Sequence, residues 1–369
     1  MATTSIGSKI TEAAVAAVRA RIGQERPAPD VFNDEATRSA IRHFAHGIGD
    51  TNPLWLDDEY AAQSRFGGII APPSFLFTCG LGRSQGLPGV HGMFAGVDFE
   101  FLAPVRLGDR VRGWNSVHDL VEKQGQFAGR QFLQTVLTVY RDQDETVVGR
   151  CFTHVMRTER ETAGKKGKYL SIERQRYTAE QLAEIDAAYE AEVVRGASPR
   201  HWEDVQLDEA LPQIVKGPLT VTDMLAFLMG FGSPFVRAHK VNYAYRKRHP
   251  AAYIPNDYGI PDVPERVHWE DDFARRVGVP GAYDYGWQRI AWLSNLVTNW
   301  QGDAGWLKQL SVQLRRFNVV GDTTWCRGKV VNKRVEDGEH VVDLELWCEN
   351  QRGEITAPGS ATVVLPSRG

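Results

Sequence analysis

The chain has 369 residues, of which 42% are hydrophobic and 24% charged, and its formal net charge is -3 at pH 7. A chain of this length has room for two or three domains with sizeable cores. The near-neutral charge offers no basic field for nucleic acid, and the longest apolar runs fall short of the roughly 20 residues that a membrane helix needs. Composition therefore argues against nucleic-acid binding and membrane insertion, and favours a globular protein.

The cysteines and the N-terminus give no sign of secretion. The four cysteines show neither paired nor metal-type spacing, and the first residues carry charges inside their apolar run without a cleavage pattern. We expect a cytoplasmic protein. The sequence has no P-loop, no dinucleotide fingerprint after a predicted strand and no His/Cys/Glu cluster with metal spacing, so it predicts neither a nucleotide cofactor nor a metal.

The first element with chemical content is the turn "GDTNPLWLDDEYA" at residues 49–61, in which Asp50, Asn52 and Pro53 precede Trp55. A predicted helix start, "APPSF", follows, and then three strand patterns, "GVDFEFLAPV", "QFLQTVLTVY" and "TVVGRCFTHVM". The segment "ERETAGKKGK" is polar and contains glycine, as linkers do. The next segment, "TAEQLAEIDAAYEAEVV", has a Thr178/Gln181 capping box and predicts a connecting helix.

The second half of the chain repeats the first. A shift of 213 residues carries "WLDDEYA" onto "HWEDDFA" and Trp55 onto His268, and without a gap it carries Gly108-Asp109 onto Gly321-Asp322. Upstream, "HGIGD" falls on "MGFGS" at a shift of 183, so the second copy holds an insertion before His268. The repeat predicts an N-terminal half (1–160), a linker with a helix (161–204) and a C-terminal half (205–369).

The helix pattern "GWQRIAWLSNLVTNW" of the second copy is apolar nearly all round and must be enclosed. The strand patterns "LSVQLRRF", "HVVDLELWCE" and "EITAPGSATVVL" lie around and after it. A long buried helix wrapped by an antiparallel sheet, present twice, predicts an α+β double hot-dog fold, which is a pseudo-dimer within one chain. The alternative is two unrelated α+β domains.

The turn at residues 49–61 and the following "FGGIIAPPSFL" resemble the MaoC-like enoyl-CoA hydratases and dehydratases. The resemblance implies reversible hydration of a 2-enoyl thioester to a 3-hydroxyacyl thioester, in fatty acid or steroid-type side-chain metabolism. Coenzyme A is then part of the substrate and no separate cofactor is required. In the family an Asp and a His exchange protons with water and substrate, and a backbone N–H at the start of the central helix polarises the thioester carbonyl.

The repeat decides which half can perform this chemistry. The indole of Trp55 cannot accept a proton, whereas the imidazole of His268 at the matching position can. Pro73, at the first helix start, has no N–H, whereas Gly286 at the second start keeps one at the positive end of a helix dipole. We therefore predict a catalytic C-terminal half with His268 and Gly286, and a non-catalytic, substrate-shaping N-terminal half.

The acid partner is harder to place. The position five residues before His268 holds Val263, and the register match to Asp50 is Ser233. Two carboxylates in the insertion are candidates. Asp262 is the first, since a one-residue bulge would bring it near the family spacing, and Asp257 is the second.

Other side chains are candidates for substrate binding. Three flank the helix start: Tyr283, Asp284 and Tyr285 could line the pocket, although Asp284 could instead cap the helix. Two basic clusters could bind coenzyme A phosphates, or could simply be solvated surface: Arg246, Lys247 and Arg248 in the insertion, and Arg315 and Arg316 on a strand. Because the insertion carries Pro250, Pro255, Pro261 and Pro264, we expect an ordered loop without a long helix, forming one wall of the pocket.

Two other functions are compatible with the sequence. A hot-dog protein with a displaced Asp could hydrolyse acyl-CoA thioesters, and a chain with one degenerate motif could be a non-catalytic acyl-thioester-binding subunit. The insertion and the Trp-rich second half favour a branched or cyclic acyl group over a short straight one. A homodimer is expected for an enzyme of this size.

Overall fold

The computed structural model describes residues 9–29, 31–81, 86–87, 90–124, 130–159, 172–233 and 235–369. Its helices are α1 (Glu12–Arg19), α2 (Arg38–Ile48), α3 (Pro53–Leu56), α4 (Asp58–Gln63), α5 (Ala179–Glu190), α6 (Val221–Phe231), α7 (His239–Arg248), α8 (Asp271–Arg276) and α9 (Gly286–Gln301). Its strands are β1 (Arg26–Pro27), β2 (His91–Phe101), β3 (Arg112–Lys123), β4 (Gln131–Arg141), β5 (Val147–Thr158), β6 (Ile214–Lys216), β7 (Ile254–Pro255), β8 (Pro261–Asp262), β9 (Trp306–Gln313), β10 (Thr324–Glu336), β11 (Glu339–Asn350) and β12 (Ile355–Val364). Of the described helices, none combines the length and apolarity needed to cross a bilayer.

The element bounds reproduce the sequence repeat. Helix α2 recurs as α6 at the shift of 183, with both ends in register. After the insertion, α4 recurs as α8 and the helix start at Pro73 recurs at Gly286, both at the shift of 213. The strands β2 to β5 recur in the same order as β9 to β12. The repeat is therefore a structural one.

The two sets of strands form one antiparallel sheet of ten strands, in the order β1-β3-β4-β5-β2-β9-β12-β11-β10-β6. The halves join where β2 pairs with β9, with Val97 opposite Val312 and Phe99 opposite Leu310. These four side chains are buried in the main core, which extends through both halves. This architecture confirms the predicted double hot-dog fold.

The central helices of the two halves differ in length. Helix α9 has 16 residues, of which 14 are buried, as its all-round apolar pattern predicts. Its counterpart is a 3₁₀ helix of seven residues, Pro73–Cys79, so the long first-half helix expected from the repeat is not seen among the described residues. Gly80 ends this helix with a left-handed φ of 117°, and a Cβ there would lie 2.7 Å from that of Ala28.

Helices α2 and α6 pack against each other across the pseudo-twofold axis. Their backbones approach so closely that a Cβ on Gly230 would lie 2.4 Å from the Cα of Phe44, and one on Gly47 would lie 2.8 Å from the carbonyl oxygen of Ala226. The predicted connecting helix is present as α5, with the Thr178/Gln181 capping box. The linker from residue 160 to residue 171 lies outside the described residues.

The insertion before His268 contains more helix than its prolines suggested. It begins with the ten-residue helix α7, continues through the small β7–β8 hairpin and ends in a 3₁₀ helix, Pro264–His268. The prolines on which that expectation rested, Pro250, Pro255, Pro261 and Pro264, follow α7, so they restrict only the second part of the insertion. That second part delivers His268 to the start of α9.

Candidate functional site

His268 is fixed beside the start of the central helix. Its Nδ1 lies 2.8 Å from the carbonyl oxygen of Tyr283. The imidazole stacks on the ring of Tyr285 at a centroid distance of 3.9 Å and meets the edge of Tyr283 at 4.6 Å. Because a carbonyl only accepts, Nδ1 carries the hydrogen and the lone pair is on Nε2.

The environment of His268 keeps the imidazole neutral. Burial lowers its pKa to about 4, and the backbone groups of Tyr283 and Asp284 offset only part of this effect. At pH 7 the ring is therefore uncharged, with Nε2 able to accept a proton. This is the protonation state that a general base requires.

The carboxylate at this site is Glu265, which the sequence analysis missed. Side chains three residues apart eclipse in a 3₁₀ helix, so Glu265 and His268 lie on the same side of the Pro264–His268 helix. The hydroxyl of Ser233 donates to Oε1 of Glu265 at 2.5 Å, and that of Tyr285 donates to Oε2 at 3.3 Å. Burial and this carboxylate raise the pKa of Tyr285, so its phenol keeps its proton.

Ser233 links this arrangement to the repeat. It occupies the position of Asp50 in the first half, and it holds a carboxylate that comes from the insertion. The carboxylate that the second motif lacks is thus supplied from the chain segment that interrupts the motif. The sequence signal was the Glu-x-x-His spacing directly after Pro264, where a proline at the first position favours a helical turn.

The two predicted acid partners point elsewhere. Asp262 accepts the N–H of Val263 at 2.7 Å and the side-chain amide of Asn256 at 3.3 Å, within its own hairpin. Asp257 pairs with Arg276 at 3.0 Å, and its side chain is 71% exposed. Among the described residues neither carboxylate has a contact with His268, so the structure does not support these assignments. The hairpin turns both side chains away from the helix start.

Gly286 begins helix α9, as predicted, and as the first helical residue it has no acceptor for its N–H within the helix. The side chain of Gln288 accepts the N–H of Tyr285 at 3.0 Å, and no acceptor for the N–H of Gly286 is found in the part of the chain that the structure describes. A Cβ at Gly286 would lie 2.4 Å from Cδ1 of Leu314 and 2.9 Å from Cδ1 of Phe94. A larger residue would therefore require the side chains of Leu314 and Phe94 to shift.

We expect Gly286→Ala to lower kcat by about ten- to a hundredfold with a small change in KM. The new methyl group would press on the side chains of Leu314 and Phe94, and a shift of the helix start away from them would misplace the N–H donor, whose complete loss costs about a hundred- to a thousandfold in comparable sites. Gly68→Ala is the matched control, because a Cβ at Gly68 meets nothing within 4 Å. Equal kcat values for the two variants would show that the helix start takes no part in turnover.

Asp284 is a structural residue and does not line the site. Its carboxylate is fully buried and pairs with Arg289 at 2.8 Å, while Asn318 donates to it at 3.3 Å. Arg289 in turn donates to the carbonyl oxygens of Arg316 and Thr356 at 2.8 and 3.2 Å. This prediction is corrected: Asp284 ties the helix start to the sheet, while its neighbours Tyr283 and Tyr285 contact His268.

The two basic clusters lie in different settings. The α7 cluster, Arg246 to Arg248, is in the insertion and stacks on the tyrosines of its own helix. Arg315 and Arg316 lie beside the site, because the preceding Leu314 contacts Gly286 and the following Phe317 packs its ring on Tyr283 at 5.0 Å. Arg316 pairs with Glu354 at 3.1 Å, and both arginines are exposed.

The first-half turn is intact but lacks the imidazole. Oδ1 of Asp50 accepts the N–H of Asn52 at 3.0 Å, and Oδ1 of Asn52 accepts that of Leu54 at 2.9 Å, so both serve as turn caps. Trp55 is buried at the position that His268 occupies in the second half. Burial raises the pKa of Asp50 to about 6, although Lys216 and the Trp55 indole oppose this effect.

We expect Asp50→Asn to stabilise the protein above pH 6 and not at pH 4. The folded state holds the Asp50 proton more tightly than the unfolded state, so stability falls as pH rises from about 4 to about 6, by about 3 kcal/mol. Asparagine is neutral and avoids this loss. Thermal melts at pH 4 and pH 8 should show a Tm gain of a few degrees only at pH 8, whereas a loss at pH 8 would mean that the charge of Asp50 stabilises the fold.

Comparison with known proteins agrees with this architecture. Residues 20–150 match the FAS1-like dehydratase domain region. A UPF0336 protein of Streptomyces griseus is 30% identical over 141 residues, which cover 34% of this chain and 86% of that protein. The chain belongs to the family of these UPF0336 proteins and carries a FAS1-like dehydratase domain region in its first half. A 3-hydroxybutyryl-CoA dehydratase of Methylorubrum extorquens is 33% identical over 98 residues, covering 26% of this chain and 61% of that protein.

Solved structures of the MaoC-like family share the fold over nearly the whole chain. A MaoC-like dehydratase superposes with a TM-score of 0.64 at 17% identity, covering 95% of this chain and 99% of its own. A Mycobacterium tuberculosis protein with a double hot-dog fold superposes with a TM-score of 0.57 at 12% identity, covering 93% of this chain and 96% of its own. At these identities the likeness shows the fold alone. The family profile covers the half that contains Trp55, so the site in the second half depends on its own geometry.

Proposed function

We propose that the chain catalyses the reversible removal of water from a 3-hydroxyacyl thioester, giving the 2-enoyl thioester, with coenzyme A as the carrier. The observation that supports this most is the geometry around His268. A neutral imidazole lies beside the start of α9, where the N–H of Gly286 has no acceptor among the described residues, and Glu265 lies on the same side of the preceding 3₁₀ helix. A base, a carboxylate and an oxyanion donor thus converge.

In the dehydration direction, Nε2 of His268 takes the proton from carbon 2 of the substrate. The electrons of that C–H bond form the double bond as the bond from carbon 3 to the hydroxyl breaks. The imidazolium then returns the proton to the hydroxyl, which leaves as water. Glu265, held by Ser233 and Tyr285, stabilises the imidazolium and accepts a hydrogen bond from the departing water, while the N–H of Gly286 stabilises negative charge on the thioester oxygen.

The proposal is tested by incubating the purified chain with a panel of straight, branched and cyclic 2-enoyl-CoA esters and with their saturated counterparts. A hydro-lyase lowers the enoyl absorbance without releasing thiol, and mass spectrometry finds a product heavier by one water. Thiol release from both kinds of ester would mean a thioesterase. Saturable binding of the esters with no turnover of any of them would mean an acyl-thioester-binding subunit.

We expect Arg315→Ala to raise KM for a CoA thioester about tenfold with little change in kcat. A charge-assisted hydrogen bond to a phosphate is worth about 1.5 to 3 kcal/mol, and Arg315 lies directly after Leu314, which contacts Gly286. The matching N-acetylcysteamine thioester has no phosphate and should be unaffected. Arg248→Ala, in the α7 cluster, is the control, and an effect on KM from Arg248→Ala alone would assign the phosphates to α7.

The proposed site is complete within one chain, so a homodimer is not required for it. Homodimer formation, a cytoplasmic location and a bulky acyl group stay predictions. Among the described residues no group of three His, Cys, Asp or Glu side chains could hold a metal ion.

A further inference from the structure

A pocket lies in the first half, at the position where the second half has its candidate site. It is bounded by the motif turn with Asn52 and Trp55, by the helix start at Pro73 and by the end of α9, and its mouth is open to solvent. Most of the lining is apolar, with Phe66 and Trp306 among the aromatic side chains.

This pocket is separate from the His268 site. Gly286 is the first residue of α9 and Gln301, which lines the pocket, is the last, so about 22 Å of helix lie between the two. The intervening residues of α9 are buried. An acyl group bound at His268 would therefore have to pass the length of a packed helix to enter the pocket, and the pocket requires a ligand of its own.

Two polar side chains in the pocket wall each have one buried oxygen that accepts no hydrogen bond from the described residues. Gln301 is 6% exposed and Asp303 is 8% exposed, and among the described residues neither Oε1 of Gln301 nor Oδ1 of Asp303 has a hydrogen-bond donor. The other carboxylate oxygen of Asp303 is satisfied by the hydroxyl of Tyr60 at 2.6 Å. A buried acceptor without a donor is unfavourable, so a ligand that donates to these oxygens recovers free energy on binding.

The charges around the pocket indicate what kind of donor fits. The guanidinium of Arg65 donates to the carbonyl oxygen of Gly305 at 3.1 Å, and its electrostatic interaction with Asp303 opposes the effect of burial on the Arg65 pKa. The carboxylate of Asp303 thus already has a cation and a phenol, and a second cation would meet repulsion from Arg65. A neutral donor suits these oxygens better than an ammonium group.

We propose that this pocket binds a small, uncharged, largely apolar molecule through a hydroxyl group. The hydroxyl donates to Gln301 Oε1 or Asp303 Oδ1 and can accept from the Gln301 amide, while the carbon skeleton packs on the apolar wall. Trp55, at the position of the second-half imidazole, is part of that wall. The first half then has a binding site where the second half has a proton-transfer site. This proposal does not depend on whether the second half is a dehydratase.

The test titrates the full chain with three probes of one size: cyclohexanol, cyclohexanone and cyclohexylammonium. The indole resonances of Trp55 and Trp306 report on the pocket and are assigned with Trp55→Phe and Trp306→Phe. We expect saturable shifts with cyclohexanol, and binding weaker by five- to tenfold for cyclohexanone, which cannot donate, and for cyclohexylammonium. No saturable shift, equal binding of the alcohol and the ketone, or preference for the ammonium ion would each overturn the proposal.

Variants test whether the preference for cyclohexanol over cyclohexanone depends on the unpaired oxygen of Gln301. Gln301→Met keeps the side-chain length and removes the amide, so it should abolish or sharply reduce the preference for cyclohexanol over cyclohexanone. Gln309→Met makes the same change at an exposed position of β9 and should leave the preference unchanged. Ala103→Leu, which fills the pocket from a partly exposed position, should weaken all three probes at least tenfold and serves as the second test if Gln301→Met does not fold. Wild-type affinities in the folded Ala103→Leu variant would place the probes elsewhere.

Discussion

A His268→Gln variant should lose about a hundredfold to ten-thousandfold of kcat for hydration of a 2-enoyl-CoA, with a small change in KM. This is the usual worth of a positioned proton-transfer group. Glutamine retains a donor for the Tyr283 carbonyl but has no nitrogen that takes a proton near neutral pH. Steady-state kinetics of the purified variant measure the loss.

The pH dependence of wild-type activity provides a second test of the role of His268. Because burial lowers its pKa to about 4, the base form persists at neutral pH and is lost only as the pH falls towards 4. Dehydration by the wild type should therefore have an acidic limb that the residual activity of His268→Gln lacks. Trp55→Phe, the control in the other half, should keep kcat within several-fold, and near-wild-type kcat in His268→Gln would remove His268 from the mechanism.

Glu265→Gln should lower kcat by about a hundredfold or more while the protein stays folded. The amide oxygen can still accept from Ser233 and Tyr285, but the negative charge that stabilises the imidazolium of His268 is gone. Combined with His268→Gln, the variant should add little to the loss, since the two groups act as one unit. Circular dichroism and thermal melts verify the fold.

The carboxylates first predicted from spacing are the controls for Glu265. Asp262 caps its own hairpin and Asp257 pairs with Arg276 at the surface, so Asp262→Asn and Asp257→Asn should each keep kcat within several-fold. If Asp262→Asn instead lost as much activity as His268→Gln and Glu265→Gln did not, the family spacing would be the better guide and the hairpin would have to rearrange on substrate binding.

The architecture was predictable because the chain carries it twice. The motif is incomplete in each half, but aligning the two halves places His268 at the position of Trp55 and Gly286 at that of Pro73. The structure has helix starts at both Pro73 and Gly286. The all-round apolar pattern of α9 indicated an enclosed helix, since an exposed one would leave a polar face. The internal repeat and the apolar pattern of a helix can both be recognised in a single sequence.

The contacts within the site were harder to predict from the sequence. Glu265 approaches His268 because the chain forms a 3₁₀ turn after Pro264, whereas the family spacing of five residues led to Asp262. The anchoring of Glu265 by Ser233 is a contact over 32 residues that no local pattern encodes. Asp284 looked accessible by its position beside Gly286, but its partner Arg289 lies one helical turn further on and faces the sheet.

The division of labour between the halves is tested most directly by assaying His268→Gln and Asp50→Asn side by side with the same 2-enoyl-CoA. Both substitutions remove a titratable group from equivalent turns of the two halves. We predict that kcat/KM falls by at least a hundredfold in His268→Gln and stays within several-fold of the wild type in Asp50→Asn. Near-full hydration by His268→Gln together with loss of activity in Asp50→Asn would place catalysis in the first half and contradict this account.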